Sequence, residues 1–356
     1  MPWVRVFHHA STGRPLIAER LTAQLLAGPP ARDPVVVTER LLAVQGQDPK
    51  GARLAVRARS TGLSAADVDR ALTEERSLLI TWLNRGTLHL VRREDYPWLH
   101  ALTTPPLFTG VMRRLAQERV EPDAADRAVS LIERWLGEEG PLTRLQLRER
   151  LEAAGARTEG QALVHTLMLA TLRGIAVRGP MVGRQHAYAL VRDWLGEPAQ
   201  VDRELALAEL ARRYLAGHGP AGDRDLARWA GLPLRDARAG LAAVGGELVE
   251  VAGGLVDLRG RPPPEELPPP KLLGAFEPLL LGWTSREEVL DSHDKLVTVN
   301  GIFHPFALVR GRAAAGWRMP GGKVEIEPFD ELSAEDTAAL EAEAADVERF
   351  LAPEPD

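Results

Sequence analysis

Two glutamines separated by a single glycine, Gln45-Gly46-Gln47, are the residues of this chain whose type and spacing best suit chemistry. A glutamine amide offers an acceptor oxygen and two N–H donors, but it does not act as a base at neutral pH. Such a pair can orient a water molecule, and its carbonyl dipoles can face a positive charge that develops during a reaction. A polar turn between two helices remains the alternative interpretation, because short loops are commonly polar.

The flanking sequence predicts how these two amides are positioned. Asp33-Pro34 and Asp48-Pro49 each combine an N-cap residue with proline at the first helical position. They predict helices over 34–44 and 49–59, with the glutamines in a short bend between them. We expect Gly46 to give the backbone the freedom that brings both side chains to one face.

A recurring order of elements predicts the fold. Three helices followed by a β-hairpin is the order of a winged helix, and it occurs three times. The hairpins are predicted at 77–91, 176–191 and 248–258, and Asn84-Arg85 forms the first hairpin turn. We therefore predict an α+β, mainly helical chain of tandem winged-helix (helix-turn-helix) units, followed by a small C-terminal antiparallel β-barrel or sheet.

Domain boundaries follow from the same pattern. The six prolines between Gly260 and Pro270 predict a stiff linker. The predicted domains are residues 1–120, 121–195 and 196–260 for the three units, 261–270 for the linker, and 271–356 for the C-terminal β domain with an acidic closing helix. Strands of that last domain are predicted at 272–281, 295–299, 302–309, 316–319 and 323–326. Capping-box patterns at Thr143-x-x-Gln146 and Thr158-x-x-Gln161 predict two further helix starts.

Composition limits the classes of protein that remain possible. The absence of cysteine among 356 residues excludes disulfides, iron–sulfur clusters and Cys-ligated zinc, and we expect neither a metal nor a cofactor. No signal peptide or membrane-spanning run is evident, so we expect a cytoplasmic protein.

The net charge of −6 is unevenly distributed: residues 325–356 carry a net charge of −11, and the rest of the chain carries a net charge of +5. A basic body is compatible with DNA, although solvated helix faces explain the same charges.

Several stretches resemble the AlkZ-like DNA glycosylase family. Residues 41–49 match that family's Gln-x-Gln motif, and residues 82–91 are similar to its Arg-x-Thr-Leu-His segment. Residues 272–283 with Arg286 resemble the block that follows the linker, and residues 316–318 resemble the start of its last hairpin. The similarity extends over nearly the whole chain, and the ordered set is more specific than any one motif.

This resemblance implies a function. Members of the family are monofunctional glycosylases for alkylated purines, and some remove bulky natural-product adducts or interstrand crosslinks as self-resistance. The implied catalytic residues are Gln45 and Gln47, and the implied partner is double-stranded DNA carrying alkylated purines, bound by a monomer in the nucleoid. The chain departs from the family at Glu277, where aspartate is usual, and at Gly46, where a bulkier residue is common.

The amide pair limits which lesions such an enzyme can process. N-glycosidic hydrolysis requires an activated leaving group, a positioned water and stabilisation of an oxocarbenium-like sugar. A purine alkylated at N3 or N7 is cationic and leaves without protonation. We therefore expect cationic N3- or N7-alkylpurines to be substrates and neutral bases such as uracil not to be. Which of the two glutamines positions the water stays open at this stage.

Further residues are candidates for DNA or lesion contact. Thr87 and His89 lie on the predicted hairpin, and Arg85 lies at its tip. Arg53 and Arg57 share one face of the helix after the motif. By the resemblance, Arg286 is a further candidate. For each of these residues an ordinary structural or solvated side chain is the alternative.

Two other functions remain open. A non-catalytic winged-helix DNA-binding protein, such as a transcriptional regulator, has the same element order, but no predicted helix is strongly basic. A protein-interaction scaffold fits the overall acidity. A lyase reaction needs a lysine nucleophile, and only Lys50 is close to the motif.

Overall fold

The computed structural model describes residues 16–183, 185–197, 200–291 and 293–353. The helices α1 to α16 are Leu16–Ala23, Pro34–Leu41, Pro49–Arg57, Ala65–Thr73, Tyr96–Thr103, Phe108–Gln117, Pro122–Glu139, Arg144–Ala153, Ala162–Leu172, Val191–Leu195, Arg203–His218, Asp223–Ala230, Leu234–Ala243, Pro278–Leu281, Glu287–Leu290 and Ala334–Leu351. The strands β1 to β12 are Val44–Gln45, Leu78–Leu83, Thr87–Arg92, Leu142–Thr143, Ala176–Val182, Gln185–Leu190, Leu248–Val251, Leu255–Leu258, Lys271–Leu273, Phe306–Val309, Arg312–Arg318 and Glu325–Pro328.

One antiparallel sheet joins the first two helix–hairpin units. Its six strands run in the order β1-β3-β2-β5-β6-β4. The hairpin β2–β3 meets the hairpin β5–β6 where Ile80 lies opposite Arg178. Because β1 is the edge strand on the side of the first unit, the glutamine motif lies at the rim of a shared sheet.

The three units repeat one pairing pattern. In the first, β1 lies between α2 and α3 and pairs with the outer hairpin strand β3, with Val44 opposite Leu90. In the second, β4 pairs with β6 in the same way. In the third, a single bridge joins Ala221 to Val256 of β8. The structure therefore mixes helices and open sheets, as the α+β prediction requires.

Helix starts follow the predicted caps in the first two units. The carboxylates of Asp33 and Asp48 accept hydrogen bonds from the N–H groups of Val35 at 2.7 Å and Lys50 at 3.1 Å. Thr143 and Gln146 form a reciprocal capping box at α8. The predicted start at Thr158 is wrong: α9 begins at Ala162, and the Thr158 hydroxyl donates to Glu152 instead.

The segment before the motif also differs from the prediction. Helix α2 ends at Leu41, because Leu42 adopts a φ of 64° that does not continue a helix. Val44 and Gln45 then join the sheet as β1. The first glutamine is thus fixed by strand pairing and does not lie in a free bend between two helices.

The C-terminal domain contains an open sheet, with strands in the order β12-β11-β10-β9. The predicted strand 272–281 is wrong beyond Leu273. Glu277-Pro278 starts helix α14, and the Glu277 carboxylate accepts a hydrogen bond from the Leu279 N–H at 3.2 Å. The predicted strand 295–299 contributes only a bridge from Val297 to Phe303. Nowhere in the described ranges does a helix combine the length and apolar character that a membrane span requires.

Helix α3 follows the motif directly and packs closely against the C-terminal domain. A Cβ atom on Gly51 would lie 2.3 Å from the carbonyl oxygen of Ala275, so only glycine permits this approach. The buried guanidinium of Arg57 donates to the Leu272 carbonyl at 3.0 Å and to Asp346 of α16 at 2.8 Å, and it also pairs with Glu343. The acidic closing helix therefore neutralises a cation of α3.

A second buried cation lies at the end of α3. Arg59 donates to the backbone carbonyl and the side-chain oxygen of Gln24 at 2.8 and 2.9 Å. It also pairs with Glu277, and both side chains are fully buried. Removal of one charge from such a pair leaves the other buried without compensation.

We expect Glu277→Leu to destabilise the fold by about 3–5 kcal/mol, because it leaves Arg59 buried and unpaired. Arg59→Met should have a similar effect, and the double variant should lose less than the sum of the two. Urea unfolding measures each free energy, with Glu331→Gln, an exposed carboxylate, as the control. Additive losses would contradict the pairing.

Three histidines are buried in the fold. Burial is the main cause that lowers the pKa of His89, His186 and His218 to about 3. In the unfolded chain each should titrate near 6.5. Below that pH the unfolded chain binds more protons than the folded one, so stability is complete above pH 6.5 and is lost as the pH falls towards 3.

We expect the free energy of unfolding to fall by about 4 kcal/mol per pH unit near pH 5.5, at about 1.4 kcal/mol for each histidine. Urea unfolding at pH 7.5, 6.0 and 5.0 measures this slope. His218→Phe should reduce it by about 1.4 kcal/mol per pH unit, since one titrating group is removed. Equal stability at pH 6.5 and 5.0 would refute the assignment.

Candidate active site

The two glutamines differ in exposure. Gln45 lies on β1 opposite His89 and is 6% exposed, whereas Gln47 follows the strand and is exposed. Between them, the N–H of Gly46 donates to the Leu88 carbonyl at 2.7 Å. The motif thus presents one buried and one solvent-facing amide at the start of α3.

A hydrogen bond joins the amides. Gln45 Nε2 donates to Gln47 Oε1 at 2.6 Å, and Gln45 Oε1 accepts a bond from Arg85 Nη2 at 3.2 Å. A guanidinium has only donors, so the atom of Gln45 that faces it must be the oxygen. The amide nitrogen of Gln45 therefore faces Gln47. Both polar ends of Gln45 are occupied, while Gln47 retains its N–H groups and one oxygen lone pair.

Gly46 is not required by the backbone at this point. Its φ lies outside the positive range, and a Cβ atom there would make ordinary contacts at 3.6–3.8 Å with Leu90, Ile80 and Leu88. The expectation that glycine supplies special freedom to the bend is therefore wrong. Strand pairing, and not backbone freedom, sets the relative direction of the amides.

Arg85 reaches the motif from the tip of the β2–β3 hairpin. Its backbone adopts a φ of 60°, and its second terminal nitrogen, Nη1, donates to the carbonyl of Trp229 at the end of α12. Burial, followed by repulsion from Arg228 and Arg286, lowers its pKa to about 10, so it remains a cation at neutral pH. The side chain points inward, which argues against the expected phosphate contact at an exposed hairpin tip.

Two further arginines lie close enough to Arg85 to lower its pKa. Arg228 is exposed on α12. Arg286 lies with its guanidinium 5.0 Å from the Phe303 ring and donates through Nε to the Leu280 carbonyl at 2.6 Å. Burial and then Arg228 lower the pKa of Arg286, and no carboxylate offsets the charge of Arg85 or Arg286 among the described residues. Arg228 is not among the residues predicted from the sequence, because no sequence feature near α12 relates that helix to the motif.

The two hairpin candidates differ in how close they come to the motif. His89 pairs with Gln45 across the strands and donates through Nδ1 to the Thr87 carbonyl at 3.0 Å. With a pKa of about 3 it is neutral at pH 7 and cannot protonate a leaving base. Thr87 donates its hydroxyl to the Asn84 carbonyl at 3.2 Å, which supports the turn.

The remaining candidates are engaged elsewhere. Arg53 donates to Asp69 at 3.0 Å and to the Pro49 carbonyl at 2.8 Å. Arg57 is 4% exposed against the closing helix, and Glu277 is paired with Arg59. Internal partners occupy both arginines, which argues against the expected phosphate contacts.

The glutamines do not line the cavity beside the linker. That cavity has a volume of about 520 Å³ and is lined by Ala18 and residues 262–267. In the part of the chain that the structure describes, no group of three or more His, Asp or Glu side chains could hold a metal ion.

Comparisons with known proteins identify the family of this chain. A curated relative from Streptomyces sahachiroi, named "Interstrand DNA cross-link repair glycosylase", is 28% identical and covers 94% of this chain and 95% of its own. The solved structure of Streptomyces sahachiroi DNA glycosylase AlkZ matches with a TM-score of 0.74 at 25% identity, over 94% of this chain and 95% of that one. Residues 38–350 match the family described as "DNA glycosylase AlkZ-like", so the chain belongs to the AlkZ-like DNA glycosylases.

Proposed function

We propose that this protein is a monofunctional DNA glycosylase that hydrolyses the N-glycosidic bond of cationic N3- or N7-alkylated purines. The observation that carries the proposal is the amide pair, in which buried Gln45 is bonded to Arg85 and to exposed Gln47. Water positioning and stabilisation of a positive sugar are the two tasks that amides perform well.

Gln47 is the residue we assign to the attacking water. Gln45 uses its oxygen for Arg85 and its nitrogen for Gln47, so it has little capacity left to orient a further group. Gln47 is exposed, and its oxygen has a free lone pair. A water that donates to this oxygen lies where the carbonyl dipole also faces an oxocarbenium-like sugar.

The lesion itself supplies the activation of the leaving group. His89 is neutral at pH 7, Glu277 is paired with Arg59, and Asp48 caps α3. A neutral purine would need a proton from one of these groups, whereas a purine alkylated at N3 or N7 already carries a positive charge. This supports cationic lesions as the substrate class.

DNA contact is proposed at the rim of the shared sheet. We treat the three helix–hairpin units as winged helices that place the motif on the duplex, and the protein as a monomer. Arg228 and Arg286 add positive charge near Arg85, which itself contacts Gln45, and such charge favours phosphate binding. Part of the acidity of the closing helix is used internally, since Glu343 and Asp346 pair with Arg57.

The open position of Gln47 supports large substrates. An exposed amide, away from the cavity beside the linker, admits a base that carries a bulky group. The relative from Streptomyces sahachiroi is named for interstrand cross-link repair. We therefore include bulky adducts and interstrand crosslinks among the proposed substrates, in a role of DNA repair or self-resistance.

Gln47→Ala should reduce excision of N7-alkylguanine from duplex DNA on the order of 10²–10³-fold, because a positioned acceptor is lost. Strand breaks after alkaline heating measure the abasic sites, and Gln45→Ala should also lower the rate. Gln117→Ala, at an exposed position on α6, is the matched control. Undiminished cleavage by both variants would rule out the catalytic assignment, and breaks without alkali would show a lyase.

Uracil in the same sequence context should not be excised, since no group near Gln47 can protonate it.

DNA affinity should fall with salt, and Arg228→Ala should reduce the slope of log K against log salt by about 0.9, equivalent to one phosphate contact. Fluorescence anisotropy at several salt concentrations measures that slope. A binding constant that is independent of salt would contradict phosphate contact at this surface.

A further inference from the structure

We propose that Arg85 is a positioning residue, which sets the orientation of both glutamine amides and couples the end of α12 to them. The inference rests on the proposed function, and it assigns a role within the reaction to a residue that touches neither water nor sugar. Its basis is the chain of hydrogen bonds that begins at the Trp229 carbonyl and ends at Gln47.

The direction of this chain depends on Arg85. Two linked amides can bond in two ways, with either residue as the donor, and the two arrangements differ little in energy. A guanidinium accepts no hydrogen bond, so its contact with Gln45 permits only the arrangement in which Gln45 presents its oxygen to Arg85 and its nitrogen to Gln47. Gln47 must then turn its oxygen toward Gln45, so that one lone pair accepts the Gln45 N–H and the other is the acceptor that an attacking water can use.

Arg85 is itself held in place by α12. The carbonyl of Trp229 accepts its other terminal nitrogen, and Trp229 is 3% exposed, with its ring 5.4 Å from that of Tyr214. At Gly231, which has a φ of +69°, a Cβ atom would lie 2.7 Å from the backbone nitrogen of Arg85. The hairpin tip and the end of α12 are therefore in direct contact, and any larger residue at 231 separates them.

A purely structural or phosphate-binding role explains these contacts less well. A structural arginine that is partly buried commonly pairs with a carboxylate, whereas no ion pair joins Arg85 to a carboxylate among the described residues, and its contacts are the Trp229 carbonyl and Gln45. A phosphate-binding arginine directs its donors to solvent, whereas the two terminal nitrogens of Arg85 contact Trp229 and Gln45. Arg228, which is exposed, is the better placed phosphate ligand.

Single-turnover excision of N7-alkylguanine, with DNA affinity measured separately, tests the role. Arg85→Met should lower the rate at saturating enzyme on the order of 10–100-fold, as misorientation of a reacting group does, while DNA affinity stays unchanged. Arg85→Lys should recover part of the rate, because a lysine still donates to Gln45 Oε1. Arg113→Met, at an exposed position on α6, is the control for loss of charge.

A double-mutant cycle separates positioning from a structural role. If Arg85 acts through Gln45, then Arg85→Met should cost nothing further in the Gln45→Ala background. Gly231→Ala, which moves the hairpin tip without altering a side chain of the network, should show the same dependence on Gln45. If Arg85→Met does not fold, the cycle is run with Arg85→Lys.

Two results would overturn the proposal. Additive losses in the cycle would show that Arg85 acts independently of Gln45. A loss confined to DNA affinity would make Arg85 a phosphate ligand. Failure of the proposed function is distinguishable from both, since the unmodified protein would then excise no alkylguanine at all.

Discussion

The burial of two arginines of one short helix is the constraint on which the rest of the structure depends. Arg57 and Arg59 lie in and just after α3, and each needs partners from distant parts of the chain to offset the cost of burial. Arg57 finds them on the closing helix, and Arg59 finds them at Gln24 and Glu277. Because Gln47 lies close before α3, these ion pairs also locate the glutamine motif. Two carboxylates of the acidic closing helix, Glu343 and Asp346, are thereby explained as internal counter-charges.

In the proposed reaction the exposed amide depends on the fixed orientation of the buried amide. Gln45 lies in a strand, accepts from a cation and donates to its neighbour. The orientation of the Gln45 amide fixes which end of the Gln47 amide faces it. No titrating group takes part, since His89 beside Gln45 is neutral at pH 7. Such a site offers orientation and dipoles but no proton, which matches a substrate that brings its own positive charge.

Local features of this fold could be predicted from sequence, and the missed ones depend on distant partners. The caps at Asp33, Asp48 and Thr143 and the turn at Asn84-Arg85 are local, and the structure contains them. The strand at Val44–Gln45 forms only because β3 lies beside it, and Glu277 starts a helix in a run whose apolar residues favoured a strand. The motif itself could be found from its two amides. Its orientation could not, since Arg85 reaches it from the hairpin about 40 residues later, and Trp229 and Arg228 come from the third unit.

The hydrogen-bond chain has a consequence for how the protein is made. Gln45 emerges early during synthesis, but its orientation depends on a carbonyl at residue 229, and the helix behind Gln47 depends on carboxylates at residues 343 and 346. No amino-terminal fragment carries the complete arrangement. Under the proposed function, a fragment that ends before residue 229 lacks the acceptor that holds Arg85, and a fragment that ends before residue 343 lacks the carboxylates that pair with Arg57, so we expect both to excise bases more slowly.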